Sequence, residues 1–227
     1  MPSDPLTELA AEVVACRRCP RLVEWREEAA SNPPARLAGE RYWARPLPGF
    51  GDPKARVLVV GLAPAAHGGN RTGRLFTGDR SGDFLFASLH RTGFANRSTS
   101  LAVDDGLTLL DLYLSAVVRC APPENKPLPE ERASCLPYLV RELRLLPDVR
   151  VVVALGSFAW DGAIRALRDL GHQASPKPAF GHLEEARVGP YALLGSYHPS
   201  QQNTFTGRLT PPMLDAAMLR ARRLAYA

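Results

Sequence analysis

Four short apolar runs divide the chain, at positions 56–60, 109–118, 150–155 and 191–197, the first reading VLVV and the third VVVAL. Runs of this length, apolar almost throughout, predict parallel strands covered on both faces. The intervals carry helical spacing. Phe84, Leu85 and Leu89 mark one helix, with Ser81 as its expected cap. Leu136, Leu139, Val140, Leu143 and Leu146 mark a second, which Pro137 predicts to begin near Cys135. Trp160, Ile164, Leu167 and Leu170 form a third stripe, closed by Gly171. Thr210, Pro211 and Pro212 open a last helix whose stripe is Leu214, Ala217, Met218, Ala221 and Leu224. Strands alternating with helices predict an α/β fold with a parallel sheet between helical layers. The stretch 31–55, rich in Pro, Gly and Arg, reads as an irregular excursion, and no internal repeat is visible.

Composition narrows this picture modestly. With 227 residues, 45% of them apolar, the chain can bury a sizeable core, and a single domain over 1–227 is expected. No apolar run approaches the roughly 20 residues that span a bilayer, and the N-terminus lacks the order of a secretory signal. A soluble, cytoplasmic monomer is the expectation. The net charge of +5 favours a polyanionic partner only weakly, because the arginines are scattered and form no basic tail.

The cysteines change the picture more. Cys16 and Cys19 form a C-x2-C pair in "CRRC", and Cys120 and Cys135 follow. Two thiolates from one tight turn reach the same metal, and a second pair closes a four-sulfur site suited to structural zinc or an iron–sulfur cluster. Buried, inert thiols are the alternative. A site tying the N-terminal segment to the middle of the chain reads as a clamp rather than a reaction centre.

Ligands of open α/β sheets bind beyond the carboxyl ends of the strands. That directs attention to the loops at 61–82, 119–129, 156–157 and 198–210. The first has neither G-x-x-x-x-G-K-[ST] nor G-x-G-x-x-G, and from Gly61 to Thr77 it holds no carboxylate. His198 directly follows the fourth strand, where a histidine serves either as a strand-end hydrogen-bonding residue or in catalysis.

The motifs "GLAPAAHGGNRTGRLFTGDRSGD", "YLSAVVRCAPPENKP" and "SYHPSQQNTFTGRLT", together with the four cysteines, resemble the family 5 (type b) uracil-DNA glycosylases. The resemblance runs from about position 10 to the C-terminus. It implies a three-layer αβα sandwich with a central four-stranded parallel sheet, and a 4Fe–4S cluster held by Cys16, Cys19, Cys120 and Cys135. It also implies hydrolysis of the N-glycosidic bond of uracil in double-stranded DNA. His198 would donate a hydrogen bond to the leaving base, and Asn125, with Asn70 as second candidate, would position the water. Phe76 would stack on the flipped base above Ala63, Pro64 and Ala65. Gly78, Arg80 and Ser81 would contact a phosphate, and Ser200, Gln201, Gln202 and Asn203 would enter the gap left by the extruded nucleotide. Uracil-specific relatives carry an asparagine where this chain has Ser115 or Ala116, which implies a pocket tolerant of other deaminated bases such as hypoxanthine. His67 lies one position off the histidine of the best-known enzymes and is given no catalytic role. A metal-clamped protein that binds damaged DNA without cleaving it, and an α/β enzyme acting on a mononucleotide, are the competing readings.

Overall fold

A computed structural model describes residues 4–227. In chain order the elements are α1 (Pro5–Ala15), α2 (Pro20–Ser31), β1 (Phe50–Gly51), β2 (Val57–Gly61), α3 (Gly69–Thr72) and α4 (Arg80–Arg91). There follow β3 (Leu112–Ala116), α5 (Pro129–Leu145), β4 (Val151–Leu155), α6 (Ser157–Asp169), β5 (Glu185–Val188), β6 (Tyr191–Ser196), α7 (Gln201–Phe205) and α8 (Pro211–Ala225).

The four strands expected from the apolar runs are present and mutually parallel. They form the middle of a sheet with the order β1-β3-β2-β4-β6-β5 among the described residues. Antiparallel β1 and β5 extend the sheet at its two edges. Side chains alternate between two helical layers, as the pleat requires. Leu58, Val60, Val152, Ala154 and Leu193 face the cluster formed with α1, α5 and α6. Val57, Val59, Val151, Val153 and Leu194 face the cluster formed with α4 and α8. The result is the three-layer sandwich expected. Among the described residues, no helix is long and apolar enough to cross a membrane.

Two expectations about helix starts need correction. The cap of α4 is Asp79, not Ser81: the Asp79 carboxylate accepts from Gly82 N at 2.9 Å, and the helix is under way before Ser81. A carboxylate also complements the positive end of the helix. Helix α5 begins at Pro129 and runs through Pro137. Its start is secured by Glu131, which accepts from Leu128 N at 2.7 Å and pairs with Arg21. The buried stripe Leu136, Leu139, Leu143 holds the helix together past the proline, which costs one main-chain hydrogen bond.

Helices α1 and α2 were not anticipated. The C-x2-C motif is the joint between them, with Cys16 closing α1 and Cys19 preceding α2.

Candidate active site

The carboxyl ends of the central strands open onto a cleft of about 240 Å³, lined by Leu62, Leu155, Gly156, Tyr197, His198 and Asn203 among others. His198 lies two residues beyond β6. Its main chain is fixed from one side by Asn203, whose amide donates to the His198 carbonyl at 2.8 Å. On the other side lies Gly156 at φ +92°, where an added Cβ would come within 3.4 Å of His198 Cβ. Neither ring nitrogen has a hydrogen-bond partner among the described residues, so both remain available to a ligand. Desolvation pushes the imidazole down to about 4. At neutral pH the ring is therefore uncharged, with one donor nitrogen and one acceptor.

The ring of Phe76 stands beside it, with centroids 6.1 Å apart and planes inclined by 32°. Phe76 adopts φ +53°, a conformation rare for a bulky residue. Two glycines make room for it. A Cβ on Gly61 would lie 2.6 Å from the Phe76 ring, and one on Gly82 would lie 1.8 Å from the Phe76 carbonyl oxygen. The chain beyond is anchored by a buried network: Arg74 donates to Thr77 and Ser100 and pairs with Asp105 at 2.6 Å. That pairing and main-chain donors hold the Asp105 carboxyl, against its burial, well below the usual carboxylate range. We expect Gly61→Ala to displace the Phe76 ring and to lower activity while leaving the fold intact. Circular dichroism alongside a rate measurement checks this.

The first turn after β2 offers methyl groups and main chain. Ala63 and Ala65 are half-buried and Pro64 is buried. The Ala65 carbonyl accepts from both Gly68 N and Asn70 N, which folds the turn back on itself. Of the two β3 candidates, the side chains diverge. Ser115 Oγ donates to Glu142 at 2.5 Å, on the α5 side. Ala116 packs with Leu47 and Leu75 in the cluster that Phe76 covers. Ala116 is thus the β3 residue on the Phe76 side.

The two asparagines differ sharply. Asn70 is fully buried and its amide donates to Arg26 O at 3.1 Å and Ala66 O at 3.3 Å. Asn125 is exposed, at φ +58°, in a left-handed pair with Glu124. Its carboxamide is free among the described residues.

The stretch 200–203 is not a loop but the cap and first turn of α7. Ser200 accepts from Asn203 N, Gln201 and Gln202 point to solvent, and Asn203 turns inward to His198. Arg80 lies over the Phe205 ring at 5.2 Å, which brings the Gly78–Ser81 turn and α7 together on one rim. His67 shares a hydrogen bond of 2.9 Å with the Tyr42 hydroxyl.

Several cleft residues escaped the sequence reading. Tyr197 is stacked on His182 at 5.1 Å, and Arg208 lies over its ring at 4.6 Å. The adjacency of Tyr197 to His198 and the arginine inside "NTFTGR" were the available signals.

In the helical layer of α1, α5 and α6, Cys16, Cys19, Cys120 and Cys135 wall one small cavity. Among the described residues, no three His, Cys, Asp or Glu side chains converge as a single ion requires. Arg26, only 1% exposed, points into this region and donates to Cys120 Sγ at 3.1 Å. It has no carboxylate partner among the described residues, and its Nε is buried without an acceptor. A guanidinium is always charged, and an unpaired buried charge is costly.

Compared with known proteins, residues 48–222 match the uracil DNA glycosylase superfamily. A type-5 uracil-DNA glycosylase of Mycobacterium tuberculosis is 53% identical over 222 residues, covering 97% of this chain and 82% of that protein. One from Thermus thermophilus is 52% identical over 213 residues, covering 94% and 95%. One from Pyrobaculum aerophilum is 44% identical over 209 residues, covering 92% and 88%.

Proposed function

The chain belongs to the uracil DNA glycosylase superfamily and, within it, to the type-5 enzymes; from that premise we propose that it hydrolyses the N-glycosidic bond of uracil in double-stranded DNA, leaving an abasic site. The observation that carries this reading is the His198–Phe76 pair, an uncharged donor beside an aromatic face at the strand ends.

The base is buried in the duplex stack and must be flipped out, at a cost of a few kcal/mol. Phe76 offers it a stacking surface in exchange. Cleavage drives negative charge onto the base and positive charge onto the sugar. A His198 N–H aimed at O2 meets charge that exists mainly in the transition state, so it lowers the barrier rather than tightening ground-state binding. The first turn has no carboxylate, so the water is positioned rather than deprotonated. Asn125, whose carboxamide is free, is the residue we assign to that duty. Asn125→Ala is expected to slow excision more than Asn70→Ala slows it per folded molecule; the reverse ranking transfers the role to Asn70.

No β3 side chain offers an amide to the base edge: the Ser115 hydroxyl is occupied by Glu142, and Ala116 has none. A site built to hydrogen-bond its ligand rejects analogues by ~10⁴–10⁵, whereas an apolar one discriminates by only ~10². We therefore expect hypoxanthine in DNA to be excised within ~10² of the uracil rate. Discrimination beyond ~10⁴ contradicts a permissive pocket.

The four cysteines and Arg26 fit a 4Fe–4S cluster. Four thiols wall one cavity, and the buried Arg26 guanidinium donates to one of them, Cys120. Such a cluster supplies a rigid cross-link and negative charge beside Arg26. A brown preparation that bleaches on reduction is expected; a colourless one containing zinc refutes the iron assignment. The decisive assay for the activity is incubation with a uracil-containing duplex followed by alkali. Strand cleavage at the uracil position supports the reading, and intact strands from folded, metal-loaded protein reject it.

A further inference from the structure

A cleft of about 360 Å³ lies outside the base pocket, lined by Arg41, Tyr42, Trp43, Arg45, Arg71 and Thr72. It is built on the loop that follows β2. Trp43 N donates to Arg71 O at 2.9 Å and Ala44 N to Asn70 O at 3.0 Å, so the segment 41–45 runs alongside α3. Arg71 is fixed in place, donating to the carbonyls of His67 and Gly78 and pairing with Glu40. Through Gly78 it joins the cleft to the turn assigned to a DNA phosphate.

The other cations are free. Arg41 and Arg45 are exposed and make no ion pair among the described residues. Arg45 lies over the Trp43 ring at 5.9 Å. Trp43 is 37% exposed, although its other face packs on Gly73. An indole 37% exposed, in one cleft with two guanidinium groups that make no ion pair among the described residues, suits a ligand with alternating anionic and apolar parts. The sugar–phosphate backbone has that pattern.

We propose that this cleft is a second DNA subsite that grips the backbone of the lesion-bearing strand beside the flipped nucleotide. Arg41 and Arg45 pair with two phosphates, and Trp43 packs against the deoxyribose between them. The proposal rests on the DNA-glycosylase reading and extends it to a surface outside the base pocket.

The test uses a duplex carrying a tetrahydrofuran abasic analogue for binding and a uracil duplex for excision. Each neutralised phosphate contributes about −0.9 to the slope of log K against log salt. Arg41→Gln/Arg45→Gln is expected to reduce the magnitude of that slope by about 2. The protein concentration giving half-maximal single-turnover rate rises, while the plateau rate stays at the wild-type value. Trp43→Ala weakens binding about 10-fold, and Trp43→Phe restores most of it. Neither arginine makes an ion pair among the described residues, and Arg45 meets only the Trp43 ring, so the double variant folds even where Trp43→Ala loosens the loop. A wild-type slope and half-saturation in the double variant overturn the proposal, as does a fall in plateau rate alone. Wild-type protein that binds the abasic duplex without releasing uracil sinks the glycosylase reading, and the slope still decides the cleft. Protein that binds no DNA sinks both.

Discussion

Replacing His198 by alanine is expected to lower single-turnover excision of uracil by ~10²–10³ while binding of an abasic duplex stays near wild type. The size follows from removing one preorganised donor aimed at developing charge. The selectivity follows from geometry: the His198 side chain carries no structural hydrogen bond, and its carbonyl continues to accept from Asn203 in the variant. A variant within a few-fold of wild type would remove His198 from the mechanism.

The same imidazole predicts a pH profile. Its folded value is depressed to about 4 by desolvation, below the ordinary 6.5. The donor is therefore in its uncharged form from about pH 5 upward, and the rate contributed by His198 is flat from there through neutrality. Stability moves in a definite direction. Between the unfolded value and about 4 the unfolded chain binds the proton that the folded chain refuses, so stability falls as pH drops through that window. Alanine at 198 removes this dependence, which acid denaturation of the two proteins would reveal.

The largest structural effect is expected at Glu142. Arg119 and Glu142 are 1% and 2% exposed and form a bidentate pair at 2.5 and 2.9 Å. Glu142 also accepts from Ser115 Oγ and from Gly49 N at 3.2 Å, so one carboxylate staples α5 to β3 and to the chain entering β1. Glu142→Leu leaves the Arg119 charge buried without a counterion, at a cost of about 3–5 kcal/mol. For a chain of this size that corresponds to a fall in Tm of about 10 °C. Replacing both partners, as in Arg119→Met/Glu142→Leu, is expected to recover most of the loss, because a buried pair contributes little net stability over apolar residues of similar volume. A single variant as stable as wild type would mean that water reaches Arg119.

What the sequence made legible followed burial. Val57–Gly61 and Val151–Leu155 are covered on both faces, and their composition announces it. Glu185–Val188 is an edge strand exposed along most of its length, and its composition follows solvent rather than the core. Ser81 and Asp79 are both residue types that cap helices, and only the Gly82 N–H shows that Asp79 is the one that does. In the candidate site, His198 and Phe76, which the fold brings side by side, both belong to motifs visible in the sequence. The Arg208–Tyr197–His182 stack was not, because its members come from three separate segments and meet only in space. Arg26 was equally hidden: nothing in "EWREE" marks a buried charge.

Phe76 is held at φ +53° by two glycines and a buried network, so its ring stands in place before any DNA arrives. A receptor already shaped for the base gains little from closing around it. Discrimination then shifts to the substrate, to how readily each pair lets its base go. Uracil mispaired with guanine, the product of cytosine deamination, should leave the helix more easily than uracil paired with adenine and be removed faster.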